Sequence, residues 1–277
     1  MLANAASRSV RLRPHCKTHK TVEGALLQTG GRRGTITVST LAEVEFYVAH
    51  GFDDVLYAVP ITPHKVPAVG ALLAQGANVH ICVDHPEQLA AVAERAAARS
   101  GAEQWSIVIM VDSGMHRDGV SADADDPLCE ELAAAVAAAE HCTLFGCYTH
   151  GGHSYTTQGL DAVHAVGEAE RDAVVEVARR IKAATGVTLS SVGVGSTPTG
   201  SNPPAHLDGV TELHPGNFIF YDTQQTSYGS CTEADIGIYT LTRVVGHYPR
   251  SNTLLIDLGW TGCSKQGPGE SKLLHAT

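Results

Sequence analysis

Apolar positions in this chain fall into two kinds of segment. Short, nearly solid apolar runs, most of them β-branched or aliphatic, recur at 10–17, 34–39, 54–60, 78–84, 105–112, 143–150, 190–197 and 210–217. Runs of that length predict strands buried on both faces, as in a parallel sheet. Between them, apolar residues return at helical spacing over 21–27, 40–50, 62–75, 86–99, 127–140 and 158–185. Local punctuation supports these helices: Ser39 stands as an N-cap before 40–50, and Pro63 and Gly76 bracket 62–75.

Eight strands with helices between them predict a (β/α)8 barrel of the TIM type. A doubly wound sheet is the alternative, although it usually has fewer strands over this length. The link 198–209 between the last two strands is short and rich in Pro and Gly, so any helix there is brief. After Asn217 the pattern changes. Segments 239–248 and 253–258 read as antiparallel strands joined by Pro249-Arg250-Ser251-Asn252. The expected layout is an α/β barrel over 1–222, then an incomplete β-rich second domain over 223–277.

Composition narrows the function classes. At 43% hydrophobic and 17% charged over 277 residues, the chain can bury a large core. A formal charge of -10, from 19 basic and 29 acidic residues, argues against a nucleic-acid binder, which needs a basic face. No apolar run is long enough to span a membrane. The seven cysteines form no CxxC pair and are odd in number, the pattern of a reducing compartment such as the cytoplasm. The first eight residues carry Ser and Arg but no acid, a faint likeness to a transit peptide. They run directly into the first strand and are read as part of the fold or as a shortened start.

In a barrel, chemistry collects at the C-terminal strand ends. The first strand ends in Arg13-Pro14-His15-Cys16-Lys17-Thr18-His19-Lys20. An amine there, desolvated and crowded by cations, becomes a nucleophile toward carbonyls. The plainer reading is a wet basic run. The fifth strand ends in Val111-Asp112-Ser113-Gly114-Met115-His116-Arg117-Asp118-Gly119-Val120, where Arg117 can point into the mouth or belong to an ordinary polar loop. The sixth ends in Cys147-Tyr148-Thr149-His150-Gly151-Gly152-His153-Ser154-Tyr155. His150 and His153 invite a metal, but no carboxylate accompanies them; an imidazole packed on a planar cofactor is at least as good a reading. The seventh ends in Gly193-Val194-Gly195-Ser196-Thr197-Pro198-Thr199 and the eighth in Glu212-Leu213-His214-Pro215-Gly216-Asn217. Backbone N–H groups and hydroxyls at those two ends suit a phosphate. Taken together, the amine, the imidazole, the guanidinium and the phosphate cradle suit pyridoxal 5′-phosphate.

Four motifs carry a family resemblance: Arg-Pro-His-Cys-Lys-Thr-His-Lys, Val-Asp-Ser-Gly-Met-His-Arg-Asp-Gly-Val, Gly-Ser-Thr-Pro-Thr and Glu-Leu-His-Pro-Gly-Asn. In these motifs and their order the chain resembles the D-serine dehydratase / D-threonine aldolase group of pyridoxal-phosphate enzymes, which share the alanine racemase-like (fold type III) barrel. The resemblance implies that Lys17 holds the cofactor as a Schiff base and acts as the catalytic base. It also implies that Arg117 bonds the phenolic oxygen, that His150 packs on the ring, and that Tyr148 and Tyr155 line the pocket. Gly195, Ser196, Thr197, Gly216 and Asn217 would hold the phosphate, and His214 would lie near the pyridine nitrogen. The implied activity is a lyase acting on a D-3-hydroxy-amino acid, D-serine first, with D-threonine aldolase as the close alternative. A non-catalytic cofactor carrier or an inactive fragment is the alternative of another class.

Two departures from the family pattern stand out. The family has a strand-helix segment before the lysine strand, whereas Met1 lies sixteen residues before Lys17. The family also binds zinc through a late His and Cys. Cys263 and His275 stand in a different context here, so zinc is expected of the family with no ligands assigned in this chain. The chain therefore reads as shortened at both ends, and the homodimer implied by the family is an open expectation.

Overall fold

A computed structural model describes residues 1–99, 103–259 and 262. Eight parallel strands carry the fold: β1 (Arg11–Leu12), β2 (Ile36–Val38), β3 (Val55–Pro60), β4 (Val79–Val83), β5 (Trp105–Met110), β6 (Cys142–Tyr148), β7 (Ser191–Val194) and β8 (Glu212–Leu213). They pair in the order β1-β8-β7-β6-β5-β4-β3-β2. The seam between β1 and β2 is closed by a parallel bridge from His15 to Thr37, in which the Thr37 N–H donates to the Pro14 carbonyl at 2.9 Å. The eight strands thus curl into a TIM-type barrel. Seven fall inside the segment expected for them and β6 begins one residue before its own, because a run such as β4, buried at every position, has no other stable place.

Helices α2 (Val22–Gln28), α3 (Leu41–Ala49), α4 (Val66–Leu73), α5 (Pro86–Ala98), α6 (Leu128–Ala138) and α7 (Leu160–Thr185) cover the outside. The N-cap of α3 is Thr40, not Ser39. Glu43 lies three residues beyond Thr40: its N–H donates to Thr40 Oγ1 at 3.1 Å, and its carboxylate accepts from the Ser39 N–H at 2.9 Å. That reciprocal arrangement suits Thr-x-x-Glu and is out of register for Ser39. The helix α7 ends where Gly186 adopts a left-handed φ of 76°, a conformation glycine takes without strain.

Three elements depart from the sequence reading. The first eight residues include a helix, α1 (Leu2–Ser7), which buries Ala5 and donates from Asn4 Nδ2 to the Ser201 carbonyl at 3.1 Å. The first strand stops well short of Lys17, which lies in a 3-10 turn (Cys16–Thr18). The strand expected to begin at Tyr239 begins at Val244: β9 (Val244–Tyr248) pairs antiparallel with β10 (Thr253–Ile256). Two short helices complete the chain, α8 (Thr197–Ser201) in the link between β7 and β8 and α9 (Thr223–Ser227) after the barrel. No helix among the described residues is long and apolar enough to cross a membrane.

Inside the barrel, side chains stack in layers, as in other barrels of this type. Leu56, Cys82, Val108, Met110 and Tyr148 form an apolar middle. Beneath lies a charged floor. Arg13, fully buried, forks between Glu212 (2.8 and 3.1 Å) and Asp54 (2.5 and 3.2 Å). His80 Nε2 meets Asp54 at 3.0 Å, and Ser191 Oγ donates to Glu212 at 2.7 Å. The first residue of the basic run is therefore not a wet cation but the central cation of the barrel floor.

Candidate active site

The C-terminal ends of β1, β6, β7 and β8 converge on a cleft lined by His15, Lys17, Thr18, His150, Tyr155, Ser196, Thr197, His214, Gly216 and Asn217. A wider groove opens at the N-terminal ends of β1 to β3, where Arg11, Thr35 and Asp53 meet α1. Its lining has no lysine, histidine or cysteine, and barrel chemistry belongs to the opposite end.

The 3-10 turn lifts Lys17 over the cleft. The residue is exposed as a whole, yet its amine has no hydrogen bond or ion pair among the described residues. Burial of the amine end and, after it, the charge of Arg117 lower its pKa, against a smaller pull from Glu43. A larger fraction is then neutral near pH 7, the form that attacks a carbonyl. His15, which precedes it by two residues, accepts from the Lys17 N–H through Nδ1 at 3.4 Å and meets Ser39 Oγ through Nε2 at 3.2 Å. Burial and the Lys17 charge hold His15 well below the usual imidazole range.

His214 forms the floor of the cleft. It is buried, and both ring nitrogens lack a hydrogen-bond partner. Burial lowers its pKa to about 4, only partly offset by Glu212, so the ring is neutral at pH 7. Its place depends on Gly193, where any Cβ would run into the His214 Nε2. Gly193→Ala is therefore expected to lower stability by about 1–3 kcal/mol in urea unfolding, the usual effect of overpacking. Tyr148 lies a layer deeper than the cleft lining, with its ring centroid 4.5 Å from that of His214.

His150 lines a wall of the cleft. Its Nδ1 lies 3.3 Å from the Gly195 carbonyl, and burial followed by the Lys17 charge lowers its pKa to about 3. Tyr155 lines the same wall; its hydroxyl is approached by Thr197 and Gln225, which partly offset the upward push of burial. Arg117 is close enough to influence Lys17 and His150, but its Nε donates to Asp118 at 3.0 Å.

The far end of the cleft collects donors. Ser196 N-caps α8 in a reciprocal box with Thr199 and shares a 2.8 Å contact with Ser154 Oγ. The N–H groups of Gly216 and Asn217 point at Thr197 Oγ1 at 3.3 and 2.9 Å. Gly216 admits no side chain, because a Cβ there would sit 2.8 Å from the His15 carbonyl oxygen. The N–H of Gly195 is differently placed, since it donates to Glu170 at 3.0 Å. His15, Glu170 and Thr199 were not singled out from sequence. Glu170 was detectable as the one acid on the buried stripe Val163, Val166, Gly167, Val174, Val177, Ile181 of α7.

A neutral buried ring with unpartnered nitrogens, a cluster of hydroxyl and N–H donors, and an amine of lowered pKa fit pyridoxal 5′-phosphate. The residues do not fit a metal in the same way. Among the described residues no group of three or more His, Cys, Asp or Glu side chains is placed to hold one. Cys263 and His275 lie outside the described residues.

The alanine racemase N-terminal domain model matches residues 1–224. The chain belongs to that family. D-threo-3-hydroxyaspartate dehydratase of Delftia sp. (strain HT23) is 37% identical over 262 residues, 94% of this chain and 67% of the relative. D-serine dehydratase of Dictyostelium discoideum is 35% identical over 272 residues, 94% of this chain and 68% of the relative. The solved structure of D-threo-3-hydroxyaspartate dehydratase from Delftia sp. HT23 superposes with a TM-score of 0.89 at 34% identity, covering 96% of this chain and 68% of that one. This chain thus spans about two thirds of the length of these relatives.

Proposed function

We propose that this chain is a pyridoxal-phosphate-dependent lyase that dehydrates a D-3-hydroxy-amino acid, with D-serine as the leading substrate. The observation that carries the reading is the approach of the Lys17 amine to a cleft floored by the unpartnered, neutral His214. When bound, the cofactor supplies a carbonyl carbon for an amine and a conjugated ring that spreads the negative charge left by a departing proton. Everything else falls to side chains of this chain. Lys17 would hold the cofactor through its amine, and the same amine is the group placed to take the Cα proton. Ser196, Thr197 and Asn217 would hold the phosphate, and His150 would pack on the ring. Arg117, which pairs with Asp118 here, would be the guanidinium for the phenolic oxygen. His214, neutral at pH 7, would meet the pyridine nitrogen without placing a full positive charge beside it.

For D-serine the Cα–H and Cβ–O bonds break and hydroxide leaves. Water then replaces nitrogen at Cα, giving pyruvate and ammonia. The relatives' names as D-serine and D-threo-3-hydroxyaspartate dehydratases support this class of substrate. The test is a product assay on the chain loaded with pyridoxal phosphate. Pyruvate from D-serine, and little glycine from D-threonine, is the expected result. Glycine and acetaldehyde from D-threonine without pyruvate from D-serine would make it an aldolase instead.

A further inference from the structure

Glu170 lies in the middle of α7, fully buried, and no basic side chain pairs with it among the described residues. Its Oε1 accepts two backbone N–H groups from different loops, Gly151 at 2.6 Å and Gly195 at 3.0 Å. Gly151 directly follows His150, and Gly195 directly precedes Ser196. The Gly195 carbonyl in turn lies 3.3 Å from His150 Nδ1, so a single residue, Gly195, links the carboxyl group to the imidazole. A Cβ on Gly151 would collide with the Glu170 carboxyl group, and Gly195 has φ +128°. Glycine is thus required at 151 by the close approach of Glu170 and at 195 by the backbone conformation.

The second oxygen, Oε2, is buried without a hydrogen-bond partner, and the Thr199 hydroxyl faces the same carboxyl group. Thr199 Oγ1 is itself the acceptor for the Ser196 N–H at 2.9 Å. A protonated Oε2 would donate to Thr199 while Oε1 keeps both amides, which leaves no buried charge behind the phosphate donors. Burial raises the carboxyl pKa to about 7 despite the Thr199 hydroxyl and the two N–H groups, which favour the charged form.

We propose that Glu170 is a positioning residue for the cofactor: it clamps the His150 loop to the Ser196 loop, so that the ring contact and the phosphate donors keep one spacing. The proposal rests on the cofactor reading above and adds a residue that does not touch the cofactor.

Glutamine keeps one acceptor oxygen and supplies an N–H toward Thr199, whereas leucine keeps bulk and loses both functions. The test compares wild type, Glu170→Gln and Glu170→Leu in two measurements: amide exchange at Gly151 and Gly195 without cofactor, and the Kd for pyridoxal phosphate by absorbance titration. The Gln variant is expected to retain slow exchange and a Kd within about threefold of wild type. The Leu variant is expected to lose protection at both glycines and to bind about 10- to 100-fold more weakly, the range for stranding buried donors. If Leu does not fold, Glu170→Asp serves, being a methylene too short to reach both loops. Wild-type affinity in the Leu or Asp variant, or a Gln variant as weak as Leu, would overturn the clamp. Absence of binding by wild type would instead sink the cofactor reading, and fast exchange at both glycines in wild type would sink the clamp alone.

Discussion

Replacing Lys17 with alanine is expected to lower turnover of D-serine by at least ~10³-fold while leaving the fold in place. Two functions leave with the amine, cofactor attachment and proton abstraction, and a positioned base alone contributes ~10²–10⁴-fold. Stability should change by no more than about 0.5 kcal/mol, because the residue as a whole is exposed and its amine has no partner to lose. Steady-state pyruvate formation, read beside a thermal melt, separates these effects. A lost fold would mean that the 3-10 turn is structural. Retained turnover would mean that another group acts as the base.

The second large effect concerns the barrel floor. Arg13→Met is expected to destabilise the protein by about 3 kcal/mol, since it leaves the buried Glu212 with only the half-exposed Arg11 and the part-buried Asp54 with only His80. The guanidinium midpoint should fall with little change in slope. Adding Glu212→Gln to the variant should recover part of the loss, because the two sites share one network. Acid should reproduce the effect in the unmodified chain. Burial works to raise both carboxyls, but the His80 hydrogen bond and the Arg13 charge hold Asp54 well below its usual range, and Arg13 does the same for Glu212. With folded pKa values depressed, their contribution is complete above the unfolded carboxylate range near pH 4. It is lost as pH falls from there toward the folded values. A chain equally stable at pH 3 and pH 6 would contradict this account of the floor.

The barrel was legible in the sequence because burial on both faces forces each strand into an apolar run, as in Val79–Val83, and helices between such runs leave few topologies. The helix α1 was hidden because Leu-Ala-Asn-Ala-Ala-Ser has neither a capping side chain nor a repeated apolar stripe. The site was half legible. Lys17, His150, Ser196 and Asn217 stand in polar strand-end motifs, and the fold brings them to one cleft. Arg13 was masked by its neighbours in a basic run, because charge in a sequence carries no mark of burial. Glu170 was masked by distance along the chain: it lies 153 positions beyond Lys17, on a helix that otherwise reads as packing.

The central claim is that Lys17 carries pyridoxal phosphate in the cleft above His214. Borohydride reduction of the chain incubated with pyridoxal phosphate, followed by peptide mapping, tests it directly. The account predicts a visible absorbance band that reduction abolishes, with the pyridoxyl mass on the peptide containing Lys17 and none in Lys17→Ala. A label on another lysine, or the same band in Lys17→Ala, would contradict it.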